Sequence, residues 1–137
     1  DPIVQDMQTN EIASEQPYIY RLTRLGMAAV QAGRGLAFLE QVSRILWDGT
    51  VDNWDEGTHL AEAVARASLD LKRLEHEVTA NPEGYDALIE ENKEALVAAG
   101  HWGVPTSVFR GEPFFGQDRL ELLLWRMRQH GLRKRAS

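Results

Sequence analysis

Cysteine is missing from all 137 residues. That removes disulfides, Cys-x-x-Cys redox chemistry, thiolate metal ligands and a cysteine nucleophile from what this chain can do. A cysteine-free chain is at home in a reducing compartment, and a cytoplasmic location is the expectation. Long apolar runs are also missing: none approaches the ~20 residues of a membrane span, and no basic segment leads into an apolar one as in a secretory leader. No membrane partner is expected. Positive charge is in short supply, with 15 Lys plus Arg against 21 Asp plus Glu and a formal charge of −6, so nucleic acid is not an expected partner either. The local exception, Arg126, Arg128, His130, Arg133, Lys134 and Arg135, reads as cations favouring a helix C-terminus, followed by a frayed tail.

Other signatures are lacking as well. No Gly-rich phosphate loop and no Gly-x-Ser-x-Gly elbow occurs. The four histidines, His59, His76, His101 and His130, fall on different segments without His-x-x-x-His or His-Glu-x-x-His spacing, so no metal site is expected.

What is present is an ordinary globular composition, 43% hydrophobic and 26% charged, enough to bury the core of one domain. Residues 1–16 are polar and aperiodic and read as an arm or linker. From Tyr18 apolar residues recur at helical spacing (Leu22, Leu25, Ala29, Ala32) until Gly33. A second stripe, Leu36, Leu39, Val42, Ile45 and Leu46 widened by Phe38, runs to about Trp47 and ends at Asp48-Gly49. Asn53 with Glu56 three residues on has the form of a capping box opening a third helix through Leu60, Ala61, Val64 and Ala67. Leu69, Leu71, Leu74 and Val78 mark a fourth. Asn81-Pro82 reads as the N-cap and first residue of a fifth, through Tyr85, Leu88, Ile89, Ala95 and Leu96 to Gly100.

The period then changes. Thr106 to Phe109 and Glu112 to Phe115, joined by Arg110-Gly111, predict a β-hairpin, with Pro113 consigning its strand to a sheet edge. Gln117 to about His130 closes the chain as a helix with Leu120, Leu123, Leu124 and Met127 inward. The expectation is a predominantly helical α+β chain. A two-stranded sheet is marginal in water, so Thr106 to Phe109 is expected to be an inner strand covered by a second polypeptide, a homo-oligomer copy or an N-terminal segment missing from these residues.

Two neighbouring elements carry candidate chemistry. Gly-Val-Pro-Thr (103–106) ahead of a strand is a candidate cis-proline loop, in which the backbone of Val104 beside Pro105 can pair with an extended peptide-like ligand; these four residues alone leave an ordinary trans turn open. Gly116-Gln117-Asp118-Arg119 stands at a helix start, where backbone N–H groups favour a carboxylate, Asp118 can hold an ammonium, and Arg119 can reach a second carboxylate. The bland alternative is a carboxylate complementing the helix dipole beside a solvated arginine. His101 and Trp102 adjoin the loop. Trp102 reads as packing, and His101 as either a proton carrier or a merely exposed ring.

Taken together, Gly-Val-Pro-Thr, a short hairpin and Phe-Gly-Gln-Asp-Arg-Leu-Glu-Leu-Leu (115–123) resemble the C-terminal signature of the 2-hydroxychromene-2-carboxylate isomerase and kappa-class glutathione transferase family, a DsbA-like branch of thioredoxin folds. The resemblance covers about residues 17 to 132. It implies a DsbA-like helical insertion over 17–100, the cis-Pro loop, hairpin and last helix of the thioredoxin fold over 101–132, and a basic tail over 133–137. The family's N-terminal strand-helix-strand unit, with the serine that faces glutathione sulfur, has no counterpart in these residues, so no catalytic residue is assigned. What the resemblance implies for function is glutathione as cofactor, with Val104 and Pro105 on its cysteinyl backbone and Gln117, Asp118 and Arg119 at its γ-glutamyl end. His101 and Trp102 then border a pocket for a small-molecule electrophile, a conjugated carbonyl compound undergoing reversible thiol addition. The alternative is a non-catalytic binding or interaction module.

Overall fold

The computed structural model describes residues 17–134; the polar arm expected over 1–16, and the end of the basic tail, lie outside the described residues. Five helices, α1 (Pro17–Gln31), α2 (Gly35–Trp47), α3 (His59–Arg66), α4 (Leu71–Ala80) and α5 (Pro82–Ala98), precede the strands β1 (Thr106–Phe109) and β2 (Glu112–Phe115). A 3-10 turn (Gln117–Arg119) then leads into α6 (Leu120–Gln129). The described residues are thus predominantly helical with one small antiparallel sheet. No described helix is long and apolar enough to cross a membrane. Two compact units divide within α5, one running to Ile89 and the other starting at Glu90.

In the first unit the core is built where α1 to α4 meet around Leu25, Phe38, Val42, Val64 and Leu74, with Ala28, Ala29 and Ala63 fully buried. Alanines at those points let helix backbones approach closely without leaving voids. The face of α2 that is buried is Phe38, Val42 and Ile45, an i, i+4, i+7 set. The expected Leu36 and Leu39 are instead exposed, and with Val30 they line an apolar groove of about 460 Å³ beside α1. The six large apolar residues from Leu36 to Leu46 spread over more of the surface of α2 than one face, and periodicity does not say which side wins.

The expected capping box at Asn53 does not form. Asn53 adopts φ 50°, outside the extended conformation of an N-cap, and α3 begins six residues later, where Thr58 Oγ1 donates to Glu62 Oε1 at 2.7 Å. Asn81 behaves as anticipated, its Oδ1 accepting from the Gly84 N–H at 3.2 Å, and Asp70 caps α4 by accepting from the Arg73 N–H at 2.7 Å. Polar clasps close the unit's rim. Arg24 makes a two-pronged pair with Asp86 at 2.7 Å on each oxygen, and hydrogen bonding to that guanidinium holds the Asp86 carboxyl below the usual carboxylate range. Tyr85, buried, donates its hydroxyl to Gln31 Oε1 at 3.0 Å.

In the second unit the hairpin forms in the register Thr106↔Phe115, Ser107↔Phe114, Val108↔Pro113 and Phe109↔Glu112. Its two-residue turn, Arg110-Gly111, has φ of 53° and 83°, the doubly positive pattern that matches strand twist. Alternation assigns Ser107, Phe109, Glu112 and Phe114 to one face and Thr106, Val108, Pro113 and Phe115 to the other. The first face meets α6, as shown by Arg126 Nε at 2.7 Å from Glu112 Oε2 and the Phe109 and His130 rings 5.6 Å apart. Phe114, 4% exposed, is this unit's one buried large apolar side chain among the described residues. Of the four α6 positions expected inward, Leu123 and Met127 are half-buried while Leu120 and Leu124 are exposed. Two four-residue strands are too narrow to cover a ten-residue helix.

Candidate functional site

After α5, residues 101–105 form a loop tied at three points. The Gly103 N–H donates to His101 Nδ1 at 2.8 Å, Thr106 Oγ1 donates to the Gly103 carbonyl at 2.6 Å, and the Gly116 N–H donates to the Pro105 carbonyl at 2.9 Å. The Val104–Pro105 peptide is cis. The third bond extends the Thr106↔Phe115 pairing by one step and sets the proline loop beside the turn that starts the last helix. The two sequence elements singled out as candidate chemistry are therefore adjacent.

Each site residue can be placed. The Val104 side chain is 77% exposed at the tip of the loop. Gln117, Asp118 and Arg119 occupy the 3-10 turn, all exposed, with Arg119 Nε at 3.5 Å from Asp118 Oδ2. An exposed neighbouring pair at that distance contributes little to stability, so the Asp118 carboxylate is available to an incoming cation. Gly116 has φ 92° and ψ 152°, a region reserved for glycine, and a side chain there would fall onto Asp118 Oδ1.

One ring of the loop, Trp102, departs from expectation. Trp102 does not pack into a core: it is 84% exposed. It lies instead over His101, with centroids 5.8 Å apart and planes inclined by 18°. His101 in turn stacks on Phe115 at 4.0 Å and 16°. Phe115 thus joins the site through the hairpin register, fourteen residues along the chain from His101, which local sequence pattern does not reveal. Elsewhere among the aromatic residues, Tyr20 and Trp47 are both exposed, whereas Tyr18 packs against the core, its ring edge-on to Trp54 at 5.2 Å. Among the described residues no group of three or more His, Asp or Glu side chains is placed to hold a metal ion. No known family, curated protein or solved structure matches the chain.

Proposed function

We propose that this chain supplies the glutathione-binding part of a glutathione-dependent isomerase or transferase of the 2-hydroxychromene-2-carboxylate isomerase type. The observation that carries the reading is the Gly116 N–H bond to the Pro105 carbonyl, which sets an exposed Val104 beside Gln117, Asp118 and Arg119. An extended tripeptide needs those two features together: a free stretch of backbone for its middle residue, and a charged turn for its zwitterionic end. Asp118 receives the γ-glutamyl ammonium, the start of the turn and Arg119 face carboxylate, and the thiol adds to a conjugated carbonyl compound and later leaves.

Calorimetric titration with reduced glutathione tests this. Saturable heat is expected at millimolar ligand. Asp118→Ala should weaken binding by about tenfold, the scale of one hydrogen bond to a charged group, while leaving the far-UV dichroism and melting temperature as they are. Absence of any heat overturns the reading, and equal loss of binding and folding would reduce Asp118 to a dipole partner.

A second reading, an interaction module without catalysis, is favoured by a different observation. Val108, Leu120, Leu124 and Trp125 are exposed, and β1 pairs with β2 alone among the described residues. An open strand edge beside apolar surface is a template for another chain. On this reading light scattering should give a mass above 15.5 kDa, with the amides of Thr106 to Phe109 protected from exchange in the assembly. A monomer at that mass with the same protection would rule it out.

A further inference from the structure

The loop beside Val104 carries more aromatic surface than backbone pairing with a peptide requires. Phe115, His101 and Trp102 form a run of three rings, each inclined to the next by less than 20°. The run is held in place from below. Accepting the Gly103 N–H at 2.8 Å fixes the His101 ring and leaves its other nitrogen to carry the proton of the neutral form. Gly103 is what allows the rings to close. A Cβ at that position would lie 2.5 Å from Phe115 Cε2, nearer than side-chain carbons approach, and a tight 3.1 Å from His101 Cε1. The rings are therefore packed through the absence of a side chain. The last ring, the indole of Trp102, is left facing solvent.

An indole is the largest apolar ring a protein has, and a flat π surface prefers a second flat ring stacked or offset at a few ångströms. We propose that Trp102 is a specificity-determining residue: its open face is a stacking platform for a planar aryl group carried by the ligand that Val104 binds. This rests on the glutathione reading for what Val104 holds and goes beyond it by assigning the aryl-recognising residue. An aryl ring fits better than a polypeptide cover because the platform is one side chain wide, flat, and braced by two near-parallel rings, and because it stands two residues from Val104, where the ligand's backbone is held. His101 and Phe115 act through Trp102 as positioning residues.

Competition between two glutathione conjugates that differ only at sulfur tests the assignment in the full chain. The wild type is expected to bind S-(4-nitrobenzyl)glutathione over S-methylglutathione by roughly fivefold, the scale of one aromatic pair. Trp102→Ala should bring that ratio close to one and Trp102→Phe should keep most of it, with the affinity for unmodified glutathione the same in all three proteins. Trp102 is exposed enough for both variants to fold, which dichroism checks. A ratio unchanged in Trp102→Ala, or no preference in the wild type, overturns the proposal while leaving the glutathione reading intact. If neither conjugate binds, the glutathione reading falls, and naphthalene-2-carboxylate alone decides the platform. A shift of the Trp102 indole N–H resonance, assigned by its loss in Trp102→Ala, supports it. No shift overturns it.

Discussion

Trp54→Ala is expected to be the most damaging single substitution in the first unit, costing about 3–5 kcal/mol. Trp54 sits in the segment between α2 and α3, which has no regular structure to hold it, yet the indole is only 4% exposed. It belongs to the main core cluster and meets the Tyr18 ring edge-on, so it fastens an irregular stretch of chain to α1. Deleting it removes the largest side chain of that core and leaves a void that rigid helices cannot collapse into. For a unit of this size the loss should lower the melting midpoint by more than about 10 °C. Trp47→Ala is the matched control: the same residue type in the same unit, but exposed, with an expected change of about 0.5 kcal/mol or less. Thermal melts followed by far-UV dichroism separate the two. Equal melting of both variants would mean that Trp54 is not the anchor of the segment.

Gly116→Ala should have the largest effect on the candidate site. At φ 92° and ψ 152° an L side chain costs on the order of 1–3 kcal/mol in backbone strain, and its Cβ would displace the Asp118 carboxylate. Relief of that strain requires the backbone to turn, and turning moves the N–H that donates to the Pro105 carbonyl. Both halves of the site then lose their mutual placement. Glutathione affinity should fall by more than the tenfold expected for Asp118→Ala, because one change disturbs the turn and the loop together. Amide exchange at Thr106 to Phe109 should accelerate while the amides of α1 to α3 keep their protection. Unaltered affinity would show that the Pro105 to Gly116 junction does not organise a ligand site.

Much of this structure was readable in advance wherever one short stretch of chain carries the cause. Asn81-Pro82 starts α5, Gly33 and Gly100 follow the ends of α1 and α5, and Arg110-Gly111 turns the hairpin, because caps and tight turns depend on a few adjacent residues. The same holds for the Gly-Val-Pro-Thr loop, where the cis peptide suspected at Val104–Pro105 is found. The misreadings share a different cause. The Asn53 and Glu56 spacing is right for a capping box, but burial of Trp54, next to Asn53, accompanies a backbone conformation that cannot cap. The apolar stripe of α2 includes Leu36 and Leu39, yet both side chains are exposed.

The amino-acid sequence by itself determined the order and kind of the elements, the apolar residues available for a core, and the two short segments that make up the candidate site, since propensity, periodicity and turn geometry act over a few neighbouring residues. The tertiary structure alone decided which apolar faces are covered, that Trp54 is core while Trp47 is surface, that Gly116 clasps Pro105, and that Phe115 slides under His101 to present Trp102 to solvent. Those outcomes depend on which distant residues share the same space, and a partner's volume and register are not written into either partner's own local pattern.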